Sequence, residues 1–156
     1  MKKLWLSILC FFHICFAVSG NLYSASVVVQ DREHAHWQQA VRDALSEVLV
    51  KVSGNKHINT LQAIQSHLNH ADPLVQQFAY NEQAQDLALD VVFDHDMIEQ
   101  ILRDTGQAIW AGSRVQTLVL FTYPEQGTYA LLSSDDDAST SLTRAAQKRG
   151  IEVVLP

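Results

Sequence analysis

Three clusters in this chain have residue types that do chemistry. Asp94-His95-Asp96 places an imidazole between two carboxylates, the composition of a general acid–base site or a hydrolytic centre. The same letters also start a helix: Asp94 stands where a cap belongs, and Asp96 would meet the positive end of the helix dipole. His67 and His70 are three residues apart on a possible helix, a spacing that lets two imidazoles share a face and hold a metal. The nearest carboxylate, Asp72, follows in a turn. Solvated surface histidines are the simpler reading. Asp135-Asp136-Asp137 offers oxygen ligands suited to calcium. It lacks the spaced ligands and closing glutamate of a calcium loop, so it reads as a solvated acidic turn with a capping aspartate. His34 and His36, two apart at a helix start, do not share a helical face.

No Gly-x-Ser-x-Gly elbow, phosphate-binding glycine-rich loop or His-Glu-x-x-His helix is present. No catalytic residue, cofactor site or metal site follows from the residues. Trp37 and Trp110 are expected in the core. Tyr80 and Tyr123, at strand ends, are expected to pack in the core or on its rim.

The elements that must position these residues begin after a leader. Lys2 and Lys3 precede an apolar run, Leu4 to Val18, which ends in Ala17-Val18-Ser19-Gly20. A basic start, a short apolar middle and small exit residues describe a secretory signal over residues 1–19. The run is shorter than the roughly 20 residues that span a bilayer. Export to the periplasm is therefore expected, with no membrane span after cleavage. Cys10 and Cys15 both lie in the leader, and Leu9 and Ile14 before them exclude a lipoprotein signal. The mature chain would hold no thiol, and its stability would come from apolar burial rather than disulfides. The net charge of −6 becomes −8 without Lys2 and Lys3. That balance excludes a general nucleic-acid binder, which needs a cationic face. Composition alone, 47% hydrophobic and 18% charged, is that of a globular protein.

Leu22 to Gln30 alternates and is expected as a strand. Glu33 to Val52 carries apolar residues at Trp37, Ala40, Val41, Ala44, Leu45, Val48, Leu49 and Val52, an unbroken helical series. Gly54 suits a left-handed cap. A shorter helix is expected over Thr60 to Asn69, ended by Asp72-Pro73. Leu74 to Tyr80 and Leu87 to Phe93 read as antiparallel strands around a polar loop, Asn81 to Asp86. A helix capped by Asp94 follows, then a short strand over Gln107 to Trp110. This order is the split βαβ, ferredoxin-like arrangement of an α+β fold over residues 20–110.

Residues 111–114 read as a linker to a small, possibly incomplete α/β unit over 115–156. There, Val115 to Tyr123 is apolar on both faces, as in a strand covered on both sides. Pro124 to Gly127 is expected as a turn and Thr128 to Leu132 as a partner strand. A helix with Leu142, Ala145 and Ala146 inward, and a strand over Ile151 to Leu155, complete the chain.

Several segments resemble one family. Leu22 to Val29 resembles its opening strand, and Ala44 to Asn55, with Val-Lys-Val-Ser-Gly-Asn, its most recognisable stretch. Gln76 to Tyr80, Val92-Phe93-Asp94, Ile109-Trp110 with Arg114, and Arg149 to Pro156 continue in order. The chain is similar to the bacterial domain-of-unknown-function family 2066, exported proteins of Gram-negative bacteria. It has Val115 where the family often has proline after the arginine. Its length implies a match to the N-terminal half of a longer protein. The resemblance implies no activity and no catalytic residue. It directs attention to Lys51, Ser53, Asn55 and Arg114, polar residues that interrupt the family-like segments at loops, beside Asp94 and His95. Helix termination and backbone hydrogen bonding are the simpler roles for them. The expectation is a non-catalytic binding or envelope-assembly module with an envelope protein as partner. The alternatives are a metal-dependent or carboxylate-using hydrolase and a shortened family member without independent function.

Overall fold

The computed structural model describes residues 21–156 apart from 84–85, 111, 113 and 126. The expected signal over residues 1–19, with both cysteines, lies outside the described residues. Among those described, no helix is long and apolar enough to cross a membrane.

Alternation in Ser24–Val29 gives strand β1, with Ala25 and Val29 buried and Val28 exposed. The period then changes to that of a helix, and α1 spans His34–Ser53. Ala40, Val41, Ala44, Leu45, Val48, Leu49 and Val52 form its buried stripe and supply the largest share of the core. The helix stops at Gly54, whose φ of 70° is the left-handed conformation that a Cβ disfavours. Its N–H returns to the Val50 carbonyl at 2.9 Å. A 3-10 turn (Ile58–Thr60), the short helix α2 (Gln62–Asn69) and a second 3-10 turn (Asp72–Leu74) carry the chain to the sheet. Ile58, Ile64, Leu68 and Leu74 are buried under α1.

Strands β2 (Val75–Gln83) and β3 (Asp86–Phe93) complete an antiparallel sheet of order β1-β3-β2. Val27 faces Leu89, and Phe78 faces Val91. Helix α3 (His95–Asp104) follows, burying Ile98, Ile101 and Leu102. The fold is α+β, and this part of it is a βαββα unit with the helices on one face of the sheet. Apolar burial between α1, α3 and the sheet is its main source of stability.

Two expectations fail within this unit. The strands run further into the polar segment than expected: Asn81 pairs with Ala88, Glu82 with Leu87 and Gln83 with Asp86. Ladder bonds are made by the backbone, so a strand pair extends into solvent without apolar side chains. Gln107 to Trp110 is not a strand. Its donors go to helix ends: Gln107 N–H to the Leu102 carbonyl at 2.8 Å and Trp110 N–H to the Val52 carbonyl at 2.6 Å. The last carbonyls of a helix have no partner within it and compete for such donors.

The C-terminal elements are smaller. Strand β4 (Thr117–Leu118) pairs in parallel with β7 (Val153–Val154), and β5 (Thr122–Glu125) pairs antiparallel with β6 (Thr128–Leu131). Helix α4 (Asp137–Gln147) precedes β7. The strand expected over Val115 to Tyr123, covered on both faces, is instead two short pieces with Val115, Leu118, Leu120 and Phe121 exposed. Apolar composition records a preference for burial, and the covering layers are missing around this segment among the described residues. Pro124 lies in β5 rather than in a turn, as an edge strand permits. On α4, Ala146 is buried and Leu142 half-buried, but Ala145 is exposed. The strand expected over Ile151 to Leu155 shrinks to Val153–Val154.

Candidate functional site

The end of α1 gathers four of the singled-out residues. Lys51 is on the last turn of α1 and is buried. Its Nζ donates to the Ser24 carbonyl at 2.9 Å and pairs with Glu47, one turn back, at 2.7 Å. Ser53 Oγ donates to the Leu49 carbonyl at 2.6 Å and accepts from Asn55 N–H at 3.1 Å. Asn55 Oδ1 accepts from His57 N–H at 3.0 Å, and its Nδ2 donates to Gln107 Oε1 at 3.3 Å.

Arg114 closes the group. Its guanidinium donates to the Lys51 and Trp110 carbonyls through Nη2, and to the Gly150 carbonyl through Nη1. Cζ sits 4.1 Å from the centre of the Trp110 ring. Lys51 ends α1, and Gly150 follows α4, so one cation serves carbonyls at the negative ends of two helices. Burial pushes the Arg114 guanidinium below its usual value, against the opposing charges of Tyr23 and Glu152. Trp110, expected in the core, is 47% exposed and is the plate on which Arg114 lies. Trp37 is half-buried, stacked on His34 at 5.7 Å and edge-on to Phe78 at 5.6 Å. Tyr80, half-buried, stands under the Arg32 guanidinium.

A second network surrounds α3. Asp94 caps it, accepting from Met97 N–H at 3.0 Å. His95 lies between Asp96 (2.9 Å) and Glu99 (3.2 Å), with its ring edge-on to Tyr23 at 4.5 Å. Glu99 also accepts from Tyr23 Oη at 3.0 Å and from Arg103 at 2.9 Å. The Arg103 hydrogen bond holds the Glu99 carboxyl below the usual range, with the Tyr23 bond assisting. Burial pushes the Tyr23 phenol up to about 12, aided by the bond to Glu99. A carboxylate so occupied is a poor proton acceptor, and a phenol so protonated is a donor rather than a nucleophile.

His67 and His70 do not share a helix. Helix α2 ends at Asn69, and His70 leaves helical geometry, its Nδ1 lying 3.0 Å from the Ser66 carbonyl. Asp136 is the α4 cap residue, but its Oδ2 accepts from Ser133 N–H at 2.8 Å rather than from the helix. Sequence reasoning missed one set. The ligand atoms of Asp31, Glu33 and His36 lie within 4.8 Å of one another. The His34/His36 spacing hides it, because the partner of His36 is Asp31 at 2.7 Å, in the turn before α1. Two carboxylates and an imidazole match zinc or manganese donor chemistry. The positive end of α1 opposes a cation there, and Asp31 already accepts from Glu33 N–H at 2.8 Å. A shallow depression of about 360 Å³ lies elsewhere, between Phe121, Tyr123 and Leu132 and the first turn of α4. None of Lys51, Ser53, Asn55, Asp94, His95 or Arg114 lines it.

The arrangement defines a small α+β protein in which Lys51, Ser53, Asn55 and Asp94 stand at or next to helix ends. Residues 17–111 match the family described as Domain of unknown function (DUF8605), and the chain belongs to that family. The matched span holds α1 and the whole three-stranded sheet, with Lys51, Ser53, Asn55, Asp94 and His95. Arg114 falls just beyond it. No curated protein and no solved structure matches the chain.

Proposed function

We propose that the chain is a non-catalytic binding or assembly module that acts in the bacterial envelope after export. The observation that carries this reading is the concentration of exposed apolar side chains in the C-terminal elements. Leu118, Leu120, Phe121, Tyr129, Leu131 and Val154 are all exposed within about 40 residues, the kind of surface that marks a protein contact. The polar candidates support it from the other side. Lys51, Ser53, Asn55 and Asp94 have hydrogen bonds to main-chain groups, and none of the candidates lines the depression beside α4.

A second reading treats β4, β7 and α4 as part of a longer α/β unit. Parallel strands are normally covered on both faces, and the pairing of Thr117–Leu118 with Val153–Val154 supports it. Kinship with family 2066 belongs to this second reading.

A photo-cross-linking residue placed at Leu120 or Tyr129 in cells tests the first reading. It is expected to give a discrete cross-linked species in the envelope fraction, while the same probe at exposed Gln38 gives none. Indistinguishable patterns at the three positions overturn the reading. So does ester or phosphoester hydrolysis by the purified protein that disappears in Asp94→Ala or His95→Ala.

A further inference from the structure

The two edges of the main sheet are built differently. The β2 edge is protected by devices that discourage strand addition. Its register shifts at a bulge between Val75 and Gln77, and Glu82 near its end pairs with Arg32 at 3.2 Å. The β1 edge has no bulge, and Lys51 covers only the Ser24 carbonyl at its start. Ser24–Val29 reads Ser-Ala-Ser-Val-Val-Val, with no charge, no proline and no bulge. Such an edge, rich in β-branched residues, is a template for another strand.

The fold leaves room for one. A split βαβ sheet has a fourth strand beside β1. Here Gln107 to Trp110, the segment in sequence position to fill it, runs to helix ends instead, and no described strand pairs with that edge.

The backbone of β1 fixes which groups face outward. Phe93 N–H donates to the Tyr23 carbonyl, so Tyr23, Ala25, Val27 and Val29 bond toward β3, and Ser24, Ser26 and Val28 bond away from it. The Ser24 carbonyl is taken by Lys51. The N–H and C=O of Ser26 and Val28 are what the edge offers to a newcomer.

We propose that the outer edge of β1 is an interface between two copies of this chain, paired antiparallel about Val27. In that register Ser26 of each copy exchanges both backbone bonds with the other's Val28. The two Val27 side chains meet at the two-fold axis, where antiparallel side chains approach most closely. Ala25 then faces Val29 of the second copy, a small residue against a larger one. The result is a continuous six-stranded sheet with self-complementary halves. The uncharged strand permits pairing with its own copy, because like charges directly opposite would disfavour it and none is present. The contact spans six residues, so association is concentration-dependent. The surface proposed for envelope partners lies on other elements, and neither proposal requires the other.

Sedimentation velocity of the full chain under reducing conditions tests this. The mass is expected to rise from one copy toward two with concentration. Val28→Pro removes an outward donor, and the double variant Ser26→Lys with Val28→Lys brings four cations together; each is expected to weaken association by about tenfold or more. Leu120→Lys and Tyr129→Lys are expected to leave it unchanged. If Val28→Pro melts early, the lysine pair decides, because both side chains lie on the open face. Hydrogen exchange adds a direct readout. Ser26 and Val28 amides gain protection with concentration, while those of Ala25, Val27 and Val29 do not change. A monomer at every concentration overturns the proposal, as does a dimer that survives the β1 variants and is lost in Leu120→Lys.

Discussion

Polar residues in this chain are used mainly on the backbone. Arg114, Lys51 and Asp94 each satisfy main-chain groups that a helix or strand leaves open, and Ser53 accepts from the Asn55 N–H just past α1. The pair His36–Asp31 is different, because it is an ion pair at the surface and therefore titrates. The hydrogen bond to Asp31 raises the pKa of His36, and the same bond lowers that of Asp31. The raised histidine contributes stability that is complete below about pH 6.5 and is lost as pH rises through its folded value. The lowered aspartate contributes stability that is complete above about pH 4 and is lost as pH falls through its folded value. Both contributions hold between those limits. His36→Gln is therefore expected to lower Tm more at pH 5.5 than at pH 8.5. In an NMR titration the His36 pKa stands above the ordinary histidine value and returns to it in Asp31→Asn. A His36 titration unchanged by Asp31→Asn would show that the pair does not form. Asp94 was legible as a cap because cap, first-turn acid and apolar spacing are local in sequence. Arg114 was legible as a residue to test but not in its role. Its Lys51 and Gly150 carbonyl partners lie 63 and 36 residues away along the chain, and a main-chain carbonyl has no sequence signature.

At the scale of elements, periodicity carried the reading where a covered face exists. The α1 stripe from Ala40 to Val52 is buried as spaced, β1 alternates as its residues do, and β3 does so from Leu89 on, with Ala88 also buried. Leu45, fully buried at the middle of α1, sets the magnitude. Leu45→Ala is expected to cost about 2–4 kcal/mol in chemical denaturation. A loss below about 1 kcal/mol would mean that the α1 face is packed loosely. Periodicity failed where backbone competition or missing cover decides. Gln107 to Trp110 has the residues of a strand, yet the open carbonyls of α1 and α3 take its donors. Asn81 to Gln83 has the residues of a loop, yet its backbone continues the ladder. In Val115 to Tyr123 the apolar run is real, and its faces remain exposed.

The whole molecule combines a well-packed βαββα unit with smaller C-terminal elements. Leu132 and Ala146 are the buried apolar residues of the latter. Arg114 links the two regions, with Lys51 on one side and Gly150 on the other. Gly150 has a φ of 66°, the left-handed conformation that a Cβ disfavours, and a Cβ there would press on the Arg114 guanidinium. We propose that these polar residues hold structure together rather than carry out a reaction. Hydrogen exchange followed by mass spectrometry on Arg114→Ala is the sharpest test. Protection is expected to fall across Thr117 to Val154 and to persist in α1, β1 and β3. Exchange unchanged throughout the chain, in a variant that has lost a measurable activity, would contradict it.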